Sequence, residues 1–290
     1  MLAALIKSMR PRQWPKNGFI FAALVFDRQL SRPGPFIETA IGFVLLCLAS
    51  GAVYLINDLA DLEADRKHPV KRNRPLASGR LSTTAATYGA GLAVLAALGG
   101  SLALNWRFAL VVAGFLILNL LYSFWLKHIV IIDVFAISAG FVLRVVAGVS
   151  LITVERFSPW LYVCTTLLSL FIGFGKRRAE ITLLQEEANS HRRVLDGYTT
   201  AFLDQLIVIL SSTTIIAYAF YSFSAVNLPE NHLMMLTIPF VIYGIFRYLQ
   251  MIHVKGAGGA PEELVLRDRP LMASIALWGL TAVAILYFGS

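Results

Sequence analysis

The stretch that decides the fold is Phe36–Leu59, FIETAIGFVLLCLASGAVYLINDL, an apolar run long enough to cross a bilayer as a helix. Eight further stretches share its character, and 57% of the 290 residues are apolar while only 14% are charged. This composition, with a mean hydropathy of +0.69, excludes an ordinary soluble domain. We predict an all-α, polytopic membrane protein, with nine helices around a central polar cavity that opens to the cytoplasm, in one integral membrane domain of residues 1–290. The predicted spans are Asn17–Leu30, Phe36–Leu59, Thr84–Leu104, Phe108–Leu126, Ile131–Thr153, Trp160–Gly175, Ala201–Ala225, Leu233–Ile252 and Leu271–Phe288.

The orientation of these spans follows from the distribution of Lys and Arg. Most of them fall in the N-terminal segment and in the loops after spans two, four, six and eight. The alternate loops hold Arg28, Arg32, Arg107 and Arg156. Because positive charge collects on the cytoplasmic side, we expect a multi-pass protein of the cell (inner) membrane with a cytoplasmic N-terminus and an external C-terminus. The net charge of +8 then lies at one membrane face, which argues against a nucleic-acid partner.

The second span ends in oxygen-bearing side chains that we call the acidic cluster: Asn57, Asp58, Asp61 and Asp65. On a helix the three Asp residues share one face, with Asn57 at its edge. Acids are costly in an apolar segment, and hard oxygen ligands suit Mg²⁺, which binds through few carboxylates together with substrate phosphates. A solvated acidic helix end is the alternative. Bases follow at once and give the pocket cations for a diphosphate. These bases include Lys67, Arg72 and Arg74.

Further polar residues lie at the same predicted membrane side or within the spans. Tyr122 and Lys127 close span four, and Lys176-Arg177-Arg178-Ala179-Glu180 closes span six. Each group has an ordinary explanation, as an interfacial anchor or as positive charge that stops a span, and each is also a candidate phosphate ligand. Arg144 and Arg247 lie inside spans, where an arginine normally faces a cavity or a partner. They either hold a lipid phosphate or pair structurally.

These residues carry a resemblance to a known family. The pattern Asn57-Asp58-x-x-Asp61-x-x-x-Asp65 after the second of nine spans resembles the first aspartate-rich motif of the UbiA superfamily of intramembrane prenyltransferases. The resemblance covers essentially the whole chain. Members bind an allylic diphosphate through Mg²⁺ between two aspartate-rich motifs, the second of which follows span six. Here the sequence departs from the pattern, because the basic stretch Lys176–Glu180 stands in place of that second motif.

The departure favours one branch of the superfamily. Asp65-Arg66-Lys67-His68-Pro69 and Lys71-Arg72-x-Arg74-Pro75 are similar to the branch that transfers phosphoribose from phosphoribosyl pyrophosphate to a polyprenyl phosphate such as decaprenyl phosphate. Charge favours the same choice, since this donor carries a diphosphate and a separate 5-phosphate, and the lipid acceptor adds a third anion. The resemblance implies Mg²⁺-dependent transfer with release of diphosphate, for a lipid-linked arabinose or other glycan precursor of the cell wall. It also permits a homo-oligomer.

The resemblance implies a role for each candidate residue. Asn57, Asp58, Asp61 and Asp65 would hold Mg²⁺ on the donor diphosphate, and the lipid phosphate would attack C1 from the opposite face with inversion. Tyr122 would orient the site through its hydroxyl. Glu180 would bind ribose hydroxyls or steady Lys176. The phosphate contacts would come from Lys67, Arg72, Arg74, Lys127, Lys176, Arg177 and Arg178, with Arg144 and Arg247 as candidates within the spans.

Two other functions remain open from the sequence. An aromatic prenyltransferase of quinone or haem biosynthesis would share the fold and the first motif, but it would use a prenyl diphosphate and a phenolic acceptor. The missing second acidic motif argues against it. A transporter of a phosphorylated solute would need an anion-binding cavity between helices. The sequence shows no inverted repeat, and its charges gather at one membrane side.

Overall fold

The computed structural model describes residues 1–68, 71–155, 158–186, 193–256, 259 and 261–289, and within these ranges all regular secondary structure is helical. The predicted all-α class is therefore confirmed. The α-helices are α1 (Leu2–Ser8), α2 (Phe21–Phe26), α3 (Pro33–Ala60), α4 (Leu62–Lys67), α5 (Thr83–Leu104), α6 (Trp106–Phe124), α7 (Ile132–Leu151), α8 (Trp160–Glu186), α9 (Thr200–Ser224), α10 (Ile238–His253), α11 (Pro261–Arg267) and α12 (Arg269–Phe288). The 3₁₀ segments are Pro11–Ile20, Lys71–Asn73, Leu126–His128, Arg193–Gly197 and Leu233–Thr237.

Seven helical segments of the described chain are long and apolar enough to cross a membrane. They correspond to predicted spans two to five and seven to nine, with ends that differ by a few residues. The chain is thus a multi-pass membrane protein. The seven segments are Pro33–Ala60, Thr83–Leu104, Trp106–Phe124, Ile132–Leu151, Thr200–Ser224, Leu233–His253 and Arg269–Phe288.

The first and sixth predicted spans take a different form, and the count of nine stays a prediction. The first span begins in the 3₁₀ segment Pro11–Ile20 and continues into the short helix α2. Pro15 lies inside this segment, and a proline removes the amide hydrogen bond that a regular α-helix needs. The sixth span forms the first part of α8, which runs on as a helix through the charged residues Lys176–Glu180.

Polar side chains fix where four of the long helices begin. The N-cap residues Ser82, Asn105, Thr199 and Asp268 each accept a hydrogen bond from a backbone N–H of the first turn of α5, α6, α9 and α12. These bonds satisfy amides that have no partner within the helix. Proline stands in the first turn of α3 and α12, where its missing N–H costs nothing.

The chain divides into two compact units. The first unit contains Met1–Leu24, Gln29–Leu126 and Leu143–Thr153, and the second contains Val25–Arg28, Lys127–Val142 and Val154–Ser290. Within the first unit α3 packs against α5 and α6, and within the second α8 packs against α9. Helix α7 contributes residues to both units. The prediction of one integral membrane domain stays a prediction. Buried core residues of the first unit include Met9, Leu55, Leu76, Leu81 and Ala86, and those of the second include Phe171, Phe174, Ile207, Tyr248 and Ile252.

Candidate functional site

The acidic cluster lies at a break between two helices of the first unit. Helix α3 ends at Ala60 and α4 begins at Leu62, with Asp61 between them at φ −94° and ψ 9°. The i to i+4 backbone hydrogen bonds of a helix continue across this break, because Asp61 N donates to Asn57 O at 2.9 Å and Asp65 N donates to Asp61 O at 2.8 Å. Asp58 and Asp65 are buried, whereas Glu63 is exposed, as the predicted helical face requires.

Two arginines neutralise the buried carboxylates. Arg10 Nη2 lies 2.5 Å from Asp58 Oδ1, and Arg74 Nη1 lies 3.2 Å from the same oxygen. The same Arg74 nitrogen lies 2.5 Å from Asp65 Oδ2. Asp58 and Asp65 are only 3% exposed, while Arg10 and Arg74 are 31% and 29% exposed. The arginines therefore reach from the open side of the site over two carboxylates that are withdrawn from solvent.

Arg10 contacts the acidic cluster but was not among the residues predicted for the site from the sequence. It lies 48 residues before Asp58, at the junction between α1 and the 3₁₀ segment Pro11–Ile20, with a left-handed φ of 54°. Its guanidinium carbon lies 4.7 Å from the ring centroid of Tyr54, one turn before Asp58 on α3. The cation–π contact and the ion pair together hold the Arg10 side chain over the end of α3. Only the fold brings this residue to the acids.

The acidic cluster contains carboxylate and amide oxygens, the kind of donor that a divalent cation binds. Asp58 and Asp65 share one guanidinium nitrogen, so a positive group already stands between their carboxylates. The second oxygen of each carboxylate takes no part in these ion pairs. Asn57 and Asp61 are half-buried and contribute an amide and a carboxylate nearby on the chain. In the described residues no three His, Cys, Asp or Glu side chains converge on one metal position, because the carboxylates converge on arginines instead.

The other bases after the acidic cluster lie nearer to solvent. Lys67 ends α4 and Arg72 lies in the 3₁₀ turn Lys71–Asn73, and both side chains are exposed. Arg74 is the one of these three predicted phosphate ligands that pairs with the acids among the described contacts. The loop turns back at Gly79, whose φ of 76° favours glycine.

Arg144 belongs to a separate polar group of the first unit. Its Nε donates to Asn17 Oδ1 at 2.8 Å, and its guanidinium lies 4.8 Å from the ring centroid of Phe115. Ser50 Oγ donates to the same Asn17 oxygen at 3.2 Å, and Asn17 is itself buried. Arg144, which was predicted within span five, is therefore hydrogen-bonded to a buried polar side chain in the apolar interior.

The second unit holds a buried ion-pair network around Arg177. Arg177 is 1% exposed and its Nε donates to Asp133 Oδ2 at 2.7 Å, while Asp133 is fully buried at the start of α7. Arg177 Nη1 also donates to Glu180 Oε2 at 2.5 Å, one turn further along α8. Tyr198 Oη donates to the other Asp133 oxygen at 2.7 Å. These bonds tie together α7, α8 and the segment that precedes α9.

The same tyrosine supports an unusual backbone position. Ile131 N donates to Tyr198 Oη at 2.6 Å, and Ile131 has a φ of 70°, which a β-branched residue rarely adopts. Burial and the hydrogen bond to Asp133 raise the pKa of Tyr198 above its usual range. The phenol therefore stays protonated and serves as a donor at neutral pH. Asp133 and Tyr198 were not among the predicted site residues, although an acid at the start of a span is a visible signal.

Three further predicted residues of α8 take part in ion pairs, namely Lys176, Arg178 and Glu180. Lys176 Nζ lies 4.0 Å from Glu180 Oε1, so the carboxylate of Glu180 joins Lys176 to Arg177. Steadying Lys176 and binding ribose hydroxyls both stay predictions for Glu180. Arg178 Nε donates to Asp204 Oδ1 at 2.6 Å. Arg247 of α10 forms an ion pair with Asp268, the N-cap residue of α12.

The pair of Arg247 and Asp268 is a two-point contact. Arg247 Nε donates to Asp268 Oδ1 at 3.0 Å and Nη2 donates to Oδ2 at 2.8 Å. These bonds, with the amide of Leu271, hold the pKa of Asp268 below its usual range.

Tyr122 is half-buried near the end of α6 in the first unit, and Lys127 is half-buried in the 3₁₀ turn Leu126–His128 of the second.

Comparison with known proteins gives one family and a set of close relatives. The model of the UbiA prenyltransferase family matches residues 18–262. The chain is 35% identical over 308 residues to the decaprenyl-phosphate phosphoribosyltransferase of Mycolicibacterium smegmatis, covering 99% of this chain and 94% of that protein. It is 32% identical over 293 residues to the protein of that name from Mycobacterium tuberculosis, covering 100% of this chain and 96% of the relative.

A solved structure has the same fold over nearly the whole length. It is a UbiA homologue from Archaeoglobus fulgidus bound to GPP and Mg²⁺, with a TM-score of 0.74. The alignment covers 98% of this chain and 99% of that one, at 19% sequence identity. At this identity the likeness concerns the fold.

Proposed function

Because this chain belongs to the UbiA prenyltransferase family, we propose that it transfers 5-phosphoribose from phosphoribosyl pyrophosphate to a polyprenyl phosphate such as decaprenyl phosphate, with release of diphosphate. The observation that carries this proposal is the near full-length match to two relatives named decaprenyl-phosphate phosphoribosyltransferase. The named relatives and the charge of the site both favour a phosphorylated sugar donor over a prenyl diphosphate.

The acidic cluster is the proposed site for the donor diphosphate. Asp58, Asp61 and Asp65, with Asn57, would hold Mg²⁺, and a bound Mg²⁺ would lower the negative charge of the leaving diphosphate. The support comes from the donor chemistry, from the burial of Asp58 and Asp65, and from the cationic group that already bridges these two residues. Burial strengthens the attraction of a carboxylate for a cation, because less water screens the charges.

The basic residues are proposed to bind the remaining phosphates. Arg74 lies at the acids and can offer its other guanidinium nitrogens to a phosphate, while Lys67 and Arg72 are exposed on the same loop. In the second unit Lys176 and Lys127 are the proposed cations for the 5-phosphate or the lipid phosphate. Their side chains are only half-buried and so stay accessible to an anionic substrate.

For the arginines that already have partners within the protein, we propose roles that differ from direct phosphate binding. Arg177 is almost fully buried and is held by Asp133 and Glu180, so we propose that it supports Lys176 through Glu180. Three other arginines already donate a hydrogen bond to a side chain of this protein: Arg178, Arg144 and Arg247. If they also bind substrate, each guanidinium would have to contact the substrate and its present partner at the same time.

The proposed reaction needs no strong base from the protein. The acceptor phosphate is ionised near neutral pH and can attack C1 of the ribose directly. The protein's contribution is to orient the two substrates and to stabilise charge on the departing diphosphate. Attack opposite to the leaving group inverts the configuration at C1. Tyr122 is the proposed hydroxyl that orients the site.

We also propose a location for this chemistry. The polyprenyl tail would lie among apolar helices, and the site would face the cytoplasm of an inner membrane with the N-terminus inside and the C-terminus outside. The product would be a lipid-linked phosphoribose that serves the synthesis of cell-wall arabinan or another glycan. A homo-oligomer is compatible with this proposal.

A donor comparison tests the function. Purified protein in lipid nanodiscs is incubated with Mg²⁺, a polyprenyl phosphate and radiolabelled phosphoribosyl pyrophosphate, and in parallel with a labelled prenyl diphosphate and a phenolic acceptor. The proposal predicts a radiolabelled lipid only in the first mixture. Label transfer only in the second would identify an aromatic prenyltransferase. Uptake of labelled donor into sealed vesicles without any product would identify a transporter.

A further inference from the structure

We propose that Arg10 is an internal counter-cation of the acidic cluster, which competes with a divalent metal for Asp58 and thereby makes metal binding depend on the presence of the anionic donor. This inference rests on the proposed function, because it takes the acidic cluster as the site for metal and diphosphate. It goes beyond that function, since it assigns a role to a residue outside the predicted site and predicts that the metal and the donor bind cooperatively.

The position of Arg10 gives the first argument. Its Nη2 lies 2.5 Å from Asp58 Oδ1, at the distance of a strong charge-assisted hydrogen bond. Asp58 is 3% exposed, so the guanidinium covers the outer side of a carboxylate that has little access to water. A cation that coordinates Asp58 must therefore share this oxygen with Arg10, displace Arg10, or bind beside its positive charge. Each of these costs binding free energy.

The second argument is that Arg10 can leave without disturbing the rest of the cluster. Among the acids that the structure describes, Arg10 pairs with Asp58 only, whereas Arg74 bridges Asp58 and Asp65. If Arg10 moves away, Asp58 keeps its 3.2 Å contact to Arg74. The Arg10 side chain is 31% exposed, so it has open space on the side from which a substrate would approach. The ring of Tyr54 offers a fixed surface along which the guanidinium can shift.

The third argument is charge balance. In the structure Arg10 and Arg74 neutralise Asp58 and Asp65, and Asp61 adds one further negative charge. A divalent ion alone would therefore still leave the acidic cluster and its two arginines with excess positive charge. A diphosphate that arrives with the metal supplies the missing negative charge and a new acceptor for Arg10. Metal and donor therefore bind cooperatively, and neither is retained well alone. Such coupling would keep the site from holding a metal without a substrate.

A metal-binding measurement tests this inference without relying on turnover. Mn²⁺ binding to the full-length protein in detergent is followed by electron paramagnetic resonance, in wild type, in Arg10→Gln and in the matched control Arg12→Gln. Arg12 is two residues away and exposed. Without a donor, Arg10→Gln is expected to bind Mn²⁺ at least about thirtyfold more tightly than wild type, the effect of removing one unit charge at about 4 Å from a divalent ion even at the dielectric constant of water. Arg12→Gln should match wild type.

A second titration measures the coupling. Adding phosphoribosyl pyrophosphate should tighten Mn²⁺ binding to wild type by a larger factor than to Arg10→Gln. Arg10→Lys, which keeps the charge, should resemble wild type in the absence of donor. Should Arg10→Gln fold poorly, Arg10→Met serves as the second neutral variant.

The outcomes separate this inference from the proposed function. If Arg10→Gln binds Mn²⁺ no more tightly than wild type, while Asp58→Asn abolishes Mn²⁺ binding, the competition is wrong and the metal site stands. If wild type and Asp58→Asn bind Mn²⁺ equally, the metal assignment of the proposed function is wrong, and with it the premise of the competition. If Mn²⁺ binds as predicted but no phosphoribose is transferred, only the proposed reaction is overturned.

Discussion

Replacement of Tyr198 by Phe probes the buried network of the second unit. The phenol donates to Asp133 at 2.7 Å and accepts from Ile131 N at 2.6 Å. A hydrogen bond to a charged group contributes about 1.5–3 kcal/mol, and an amide left without its acceptor adds a further loss. Ile131 is partly exposed, so water can replace part of the second bond. We expect Tyr198→Phe to lower the free energy of unfolding by about 2–4 kcal/mol.

The assay is thermal or denaturant-induced unfolding in a defined detergent, with Tyr88→Phe as the control. Tyr88 lies on α5 and is 71% exposed, so its hydroxyl makes no comparable buried contact. The control should change the unfolding free energy by less than about 0.5 kcal/mol. Equal stability of Tyr198→Phe and Tyr88→Phe would refute the claim that the network stabilises the second unit.

The pH dependence gives an independent check on the same residue. The folded state raises the pKa of Tyr198, through burial first and the Asp133 hydrogen bond second. A group with a raised folded pKa contributes stability that is fully present below its unfolded value of about 10 and is lost as pH rises through the folded value. The stability difference between wild type and Tyr198→Phe should therefore be constant from about pH 7 to 9 and shrink above about pH 10. A difference that grows with alkaline pH would contradict this.

Two further predictions concern the first unit. Asp58→Asn should abolish phosphoribosyl transfer, because its carboxylate is a proposed metal ligand. It should also lower the unfolding temperature, since Arg10 and Arg74 keep an acceptor oxygen but lose the charge that neutralises them, whereas the exposed Glu63→Gln should keep both activity and stability. A normal turnover in Asp58→Asn would contradict the site assignment. Gly148→Ala should destabilise the protein by at least about 2 kcal/mol, since its new Cβ would lie 1.9 Å from Ile20 O. The control Gly114→Ala should be tolerated, because its new Cβ would have no atom within 4 Å. Unfolding in detergent measures both variants, and equal stability of the two would contradict the close approach of Gly148 to Ile20.

The acidic cluster shows how much of this site the sequence could predict. The residues Asp58, Asp61 and Asp65 were expected on one helical face, and the i to i+4 backbone bonds keep that spacing although the helix breaks at Asp61. Local periodicity was sufficient because all three residues lie within two turns. The assignment of these residues to a metal stays a prediction.

Long-range pairs were beyond the reach of sequence reasoning. Arg10 lies 48 residues from Asp58, and Arg177 lies 44 residues from Asp133. A count of basic residues cannot tell whether a guanidinium meets a phosphate or a carboxylate of its own chain. For Arg177 the side chain is 1% exposed and contacts two acids, which favours the proposed supporting role, and no local pattern indicates these contacts.

The first predicted span illustrates a different limit. Its apolar composition suggested a helix from Asn17 to Leu30, but the residues from Pro11 to Ile20 form a 3₁₀ segment and only six residues follow as α2. Hydropathy measures whether a segment prefers an apolar environment, and it does not measure helix length. The prolines at 11 and 15 were the available signal that a regular helix is disfavoured.

The most direct test of the central claim is a structure of the protein with phosphoribosyl pyrophosphate and Mn²⁺ bound. The account predicts a cation coordinated by Asp58 and Asp65, with the donor's diphosphate on that cation and Arg10 withdrawn from Asp58. A map in which the donor is bound elsewhere, while Arg10 and Arg74 still pair with these carboxylates, would contradict it.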